Sequence, residues 1–314
     1  MSSCFAAASV ALAFVIMCVS NALTFSRSFV PNTNGDIALT HPVYLLPAGY
    51  AFAIWGMIYI LELVFTVYQA LPAARGGGLE DPDVIAARPA VVGAFVSNSV
   101  WLFLFDYEQF WPALVVIVLY DLLLFRTISA MAVHYLDQTS WLKKLGSLGF
   151  SVNASWVTVA SLLSLNLNLL DAGWPPAPDF AAACLASGVA IAAVAVYSRA
   201  DVGYAAAAAW ALSAIAINQQ PSSDWGCSNQ VCPPCQRTHH PHICDTRWKA
   251  ACSAAEAERT CFLDKSPAVA VWACAGIVVV SVALLAAIHQ RHKRGAITQP
   301  AEFEGKKAEL LARL

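Results

Sequence analysis

Charge is scarce in this chain. Of its 314 residues 12 % are charged, about half the share usual in a soluble domain, whereas 59 % are apolar and the mean hydropathy is +0.60. That balance is the signature of an integral membrane protein. The net charge of -2 excludes nothing by itself. No basic cluster interleaved with aromatic residues is present, so nothing points to nucleic acid. Other signals are missing too. No internal repeat argues for an inverted-repeat transporter. Gly76-Gly77-Gly78 follows no strand and precedes no Lys-Ser/Thr, which speaks against a phosphate-binding loop. No nucleophile, base and acid are placed together, and His134 sits at a loop, so the sequence gives no reason to expect an enzyme.

Apolar runs of roughly 17–25 residues are transmembrane candidates. Eight are readable: 4–24, 49–71, 90–106, 110–133, 147–170, 179–198, 202–219 and 266–289. The first lacks the basic start and a convincing small-residue cleavage site of a signal peptide, and reads as an uncleaved helix, with a cleaved signal peptide as the alternative. The seventh is rich in alanine from Ala205 to Ala209. Small side chains let helices approach closely, so this span is expected inside the bundle. The basic tail with Arg291, Lys293, Arg294, Lys306, Lys307 and Arg313 should stay cytosolic. An even span count then puts Arg75 and Arg88, Lys143 and Lys144, and Arg199 on the cytosolic side as well. The segment 72–89 reads as a flexible cytosolic connector.

The long loop between the last two spans holds Cys227, Cys232, Cys235, Cys244, Cys252 and Cys261. Six cysteines on the outer side of a membrane suggest three disulfides, with fifteen possible pairings. Zinc is the rival occupant, because Cys232-Pro-Pro-Cys235, His239, His240, His242 and Cys244 are ligand types it accepts. The usual two tidy ligand pairs are missing, so the disulfide reading is preferred and no metal is assigned. The loop favours the secretory pathway or the plasma membrane as location.

Pro47 to Tyr59 opens the second span with a proline-glycine start and then spaces Phe52, Trp55 and Tyr59 by three and four. Those rings share one helix face. Lipid contact needs no such stripe. Farther on, Asn98, Trp101 and Phe105 fall in the third span, Trp111 begins the fourth, and Trp156 and Ala160 lie in the fifth. This order, with Asn21 closing the first span, resembles the TspO/MBR family of translocator or tryptophan-rich sensory proteins, in its longer bacterial-type branch. The likeness covers roughly residues 10–220. Where the family often carries an asparagine eight residues after the fifth-span tryptophan, this sequence has Ser164.

The resemblance implies an all-α membrane bundle with a five-helix core, and about three further transmembrane helices here. The expected organisation is a core over 1–175, two added spans over 176–220, the cysteine-rich loop over 221–265, a last span over 266–290 and a basic tail over 291–314. The family binds tetrapyrroles such as protoporphyrin or haem, and some members bind sterols. On this reading the partners are membrane lipid and a hydrophobic small molecule, no cofactor is required, and a homodimer is conceivable from relatives. Phe52, Trp55, Tyr59, Asn98, Trp101, Phe105, Trp156 and Ala160 are the ligand-site candidates. Tyr50 and Trp111, at span ends, read as interface belt residues. A transporter of a lipid or small solute, or a receptor acting through the cysteine loop, are the alternatives.

Three ionisable groups within spans need explaining: Glu62, Asp121 and Arg126. Each costs roughly 2.5–3.5 kcal/mol near the membrane centre. Asp121 and Arg126 are five apart on one helix, poor spacing for a pair. A cross-helix contact between Glu62 and Arg126 is therefore expected, with snorkelling of Arg126 as the alternative.

Overall fold

In the computed structural model, residues 3–27, 29–131, 140–219 and 265–311 are described, with side chains up to Lys293 apart from that of Leu39. The described residues form nine α-helices and no strand. They are α1 (Ser3–Phe25), α2 (Asn34–Thr40), α3 (Ile54–Tyr68), α4 (Pro82–Asp106), α5 (Phe110–Ala130), α6 (Trp141–Asp171), α7 (Pro178–Arg199), α8 (Val202–Asn218) and α9 (Pro267–Leu311). Seven helical stretches are long and apolar enough to cross a membrane, and α8 is shorter. The protein is an integral, multi-pass, all-α membrane protein. The six loop cysteines Cys227 to Cys261 and His134 lie outside the described residues.

The bundle is sorted by polarity in the sense a bilayer demands. On α1, Val10, Met17 and Thr24 are buried at seven-residue spacing, while Leu12, Ile16 and Val19 are exposed for lipid. Phe14 meets Phe95 of α4 edge-on at 5.5 Å. Inside sit Glu62, Asn98, Asn153 and Thr158, all buried. Polar groups gain by facing protein partners, because lipid tails offer none.

Helices α1, α3, α4, α5 and α6 pack in the order α1–α4–α5–α6–α3, with α3 closing back onto α1. Helices α7, α8 and α9 pack on one another, and α8 lies against α6. Helix α8 has 17 residues, about 26 Å at 1.5 Å per residue. That falls short of a hydrocarbon core of roughly 30 Å. It is tolerable because protein groups finish both ends. Asp201 caps the start through the Tyr204 amide at 2.9 Å. At the far end Asn218 and Gln219 donate to the carbonyls of Leu46 and Tyr44. Its alanine face is buried as the small-residue pattern predicts, with Ala207, Ala211 and Ala214 packed beside Ile54, Ile58 and Trp156.

Two expectations need correction. The segment 72–89 is not a flexible connector throughout. Asp81 caps α4, which starts at Pro82 and runs on through Pro89. Arg88 is 2 % exposed and donates to Gln69 and to the carbonyl of Leu79. A proline in the first helical position and an acidic cap were the overlooked start signal. Secondly, Phe52 lies in a 3-10 turn (Gly49–Ala53) that precedes α3, not in the helix itself.

On the face expected to be cytosolic, Lys143 of α6 reaches Asp81 at 2.8 Å and Asp83 at 3.0 Å. Burial works to raise the Asp81 carboxyl, but the Lys143 hydrogen bond and charge and two helix-start amides outweigh it, so it is held below its ordinary value of 3.8. Its contribution to stability is therefore complete above pH 3.8 and is lost as the pH falls through the lower folded value. We expect Lys143→Met to lower the unfolding free energy by about 1 kcal/mol at neutral pH, and to do so less in strong acid. Thermal unfolding in detergent at both pH values checks this; equal losses would contradict it.

Candidate functional site

A cleft of about 610 Å³, counting its open mouth, lies between α3, α4 and α6. Five rings form its walls: Phe52, Trp55, Trp101, Phe105 and Trp156. The rings hold one another. Trp156 stands edge-on to Phe52 at 5.7 Å and to Trp55 at 6.4 Å. Trp101 stacks on Phe105 at 5.2 Å. Ala160 also lines the cleft, and its small side chain takes up little of the space.

Helix α6 supplies the longest wall. Trp156, Val159, Ala160, Leu163, Ser164 and Leu167 all line the cleft. Their spacing by three and four is one helical stripe. Ser164, the position where the family often has asparagine, is on that stripe.

The connection from α1 to the 3-10 turn lines another part of the cleft. Its short helix α2 is fixed by a capping box between Thr33 and Asp36. Asp36 also binds Arg27 at 2.7 Å. Burial favours the neutral acid there, but the Thr33 amide and hydroxyl and the Arg27 charge outweigh it and hold the Asp36 carboxyl below its usual range. Asn32 donates to Glu108, and the Tyr107 hydroxyl donates to the Phe29 carbonyl, so this connection is tied to the α4–α5 turn. Asn34 and Ala38 of α2, with Leu46 and Pro47, complete the lining.

The cleft is apolar but carries two buried polar atoms without a partner among the described residues. They are the indole N–H of Trp101 and the side-chain oxygen of Asn34. One donates and the other accepts.

Tyr59 and Asn98 do not line the cleft. The Tyr59 ring stacks on Trp55 at 5.7 Å, and its hydroxyl donates to Asn21 at 2.6 Å. Asn21 in turn donates to Asn98 at 3.0 Å. Asn98, 0 % exposed, thus bonds α1 to α4, and Tyr59 positions the Trp55 ring. The rings at the span ends are exposed: Tyr50 is 45 % and Trp111 52 % accessible.

The expected Glu62–Arg126 contact does not form. Arg126 is exposed and makes no ion pair among the described residues. Glu62 instead accepts from Asn153 at 2.7 Å. Asp121 accepts from the Thr158 hydroxyl at 3.0 and 3.2 Å. Glu62 is buried inside the bundle whereas Arg126 is exposed at its surface, a difference that spacing within single helices does not reveal.

A family model for TSPO-like protein matches residues 7–231. The chain belongs to the TSPO-like family. The matched region takes in the whole cleft, and extends through α7 and α8; α9 lies beyond it. No curated protein and no solved structure matches the chain. In this TSPO-like protein the lining residues that were not among the ligand-site candidates are Asn34, Ala38, Leu46, Val159, Leu163 and Leu167, together with Pro47 and Ser164, which the sequence marked only as a span start and a departure from the family. Those on α6 were readable by stepping along the helix from Trp156. The α2 residues carried no such signal, because only the tertiary fold brings that segment to the cleft.

Proposed function

We propose that the cleft binds a flat, hydrophobic molecule, a tetrapyrrole such as protoporphyrin or haem or else a sterol, for sensing or transport. The observation that carries this reading is the convergence of five rings on one cleft with an unpartnered indole N–H in its wall. Aromatic faces suit a conjugated plate. The Trp101 N–H is a donor for a ligand carboxylate or carbonyl, and burial strengthens such a bond. The bilayer is the route by which so apolar a ligand would arrive. The six loop cysteines support the secretory pathway or plasma membrane as location, where an oxidising face preserves disulfides.

Protoporphyrin absorbance, titrated with the detergent-solubilised protein, tests the reading. Wild type should give a saturable shift. Trp101→Phe keeps a ring but removes the N–H, and should weaken binding about fivefold to tenfold. Ala160→Phe fills the space and should weaken it at least tenfold, the order expected when a well-packed site loses its room. Equal titration of wild type and Ala160→Phe would place the porphyrin elsewhere and end the proposal for this cleft.

A further inference from the structure

Arg126 is the charged side chain in a span to which the fold gives no partner. It is exposed on α5, about one turn before that helix ends at Ala130. Four residues of helix are about 6 Å, a depth that an arginine stem can bridge to reach the headgroup layer. Arg199 ends α7 at the same end of the bundle. Helices α5 and α7 each pack on α6 and not on one another. Arg199 crosses the gap and donates to the Ser129 hydroxyl of α5 at 2.7 Å. Ser129 is three residues after Arg126, so the two are neighbours on one helix face. Both arginines therefore belong to one seam.

Neither arginine forms an ion pair among the described residues. The acids nearest to them in sequence are engaged elsewhere. Asp121 accepts from Thr158. Asp201 is buried and accepts from the Ser151 hydroxyl and the Tyr204 amide. Two guanidinium groups thus share the membrane edge with donors to spare. Deeper in the span the seam is apolar. Leu122, Phe125, Arg126 and Ser129 form one helical stripe. Leu122 is exposed, and Phe125 rests against Tyr204 at 5.8 Å, which closes the gap at that depth.

This end of the bundle is the one expected to be cytosolic, where bilayers carry their anionic lipids. The guanidinium fork matches phosphate oxygens. Two cations call for a net negative head, because the ammonium of a zwitterionic head cancels its own phosphate. We propose that the α5–α7 seam binds one anionic phospholipid, whose phosphate sits between Arg126 and Arg199 while an acyl chain lies along Leu122 and Phe125. The site faces the lipid and needs no internal cavity. It does not rest on the reading of the aromatic cleft.

Phosphatidylglycerol and phosphatidylcholine carrying the same dansyl-labelled acyl chain provide the test. Each is titrated into the full-length protein in neutral detergent, and energy transfer from its tryptophans is read. Phosphatidylglycerol should bind at least tenfold tighter, at about fivefold for each arginine near a membrane surface. Arg126→Gln should cut that preference about fivefold, and the Arg126→Gln, Arg199→Gln double variant should bring it below twofold. Phosphatidylcholine binding should not change. Lys293→Gln, a charge removed at the same end of the bundle, should leave the preference as it is. Glycerol phosphate, a head without a tail, should not compete. Equal binding of the two lipids by wild type would overturn the proposal, as would a preference that survives in the double variant. A loss as large with Lys293→Gln would also overturn it, because the general charge of that end would then account for the effect. Competition by glycerol phosphate would make the seam a site for a soluble anion and end the lipid assignment. Should the double variant fail to fold, Arg126→Gln decides alone, since that side chain bonds to no protein group among the described residues.

Discussion

Replacing Asn153 with leucine is expected to cost about 2–3 kcal/mol of stability, seen as a lower unfolding midpoint in detergent. Asn153 and Glu62 are both 0 % exposed. The Asn153 amide donates to Glu62 at 2.7 Å and to the Tyr120 hydroxyl at 2.6 Å. Its two hydrogens allow both bonds at once. The second Glu62 oxygen already lacks a partner among the described residues. Leucine would strand the carboxyl entirely. An interhelical hydrogen bond in a membrane protein averages only about 0.6 kcal/mol. The larger figure is expected because two bonds go and a desolvated acid remains. The double substitution Glu62→Leu with Asn153→Leu should recover most of the loss, since removing both members of a buried polar pair is nearly neutral. Glu62→Gln keeps an acceptor oxygen and should cost less than the Asn153 change. An Asn153→Leu protein as stable as wild type would show that this pair carries no part of the bundle's stability.

Gly149→Leu should be still more damaging, about 3 kcal/mol or an outright failure to fold. Helices α3 and α6 touch backbone to backbone at this point. A Cβ on Gly149 would meet Leu61 Cβ at 2.8 Å and the Glu62 amide nitrogen at 3.1 Å. One turn earlier, a Cβ on Gly146 would meet Phe65 Cβ at 2.9 Å. Backbone cannot rotate away as a flexible side chain can, so the helices would have to separate. That separation would also pull Glu62 from Asn153 and Trp55 from Trp156, so both stability and ligand binding should fall together. Gly56 is the control. It is exposed, and nothing lies within 4 Å of a Cβ there. Gly56→Leu should be neutral or stabilising by up to about 1 kcal/mol through helix propensity. Equal effects at positions 56 and 149 would show that close packing of α3 on α6 is not what glycine provides.

Some of the site could be read from residue order alone. Phe52, Trp55, Trp101, Phe105, Trp156 and Ala160 were singled out by their order along successive spans and by family likeness, and they line one cleft. Tyr59 and Asn98 were singled out in the same way, yet they belong to a polar contact beside it. Periodicity gives the face of a helix but not the depth at which a side chain sits or which neighbour reaches it first. The Glu62–Arg126 pairing failed for the same reason. Both groups needed partners, but which helix supplied them depended on how α3, α5 and α6 are rotated about their axes.

Hydropathy determined that this is a multi-pass helical membrane protein and the alanine run that α8 packs inside the bundle, because apolar length and side-chain size act locally along each helix; the likeness to the TSPO-like family rested on the order of its aromatic residues. The tertiary structure alone decided that residues of α2 line the cleft and that Asn153 rather than Arg126 serves Glu62. Those outcomes depend on the relative rotation and approach of helices far apart in the chain, which no single segment encodes.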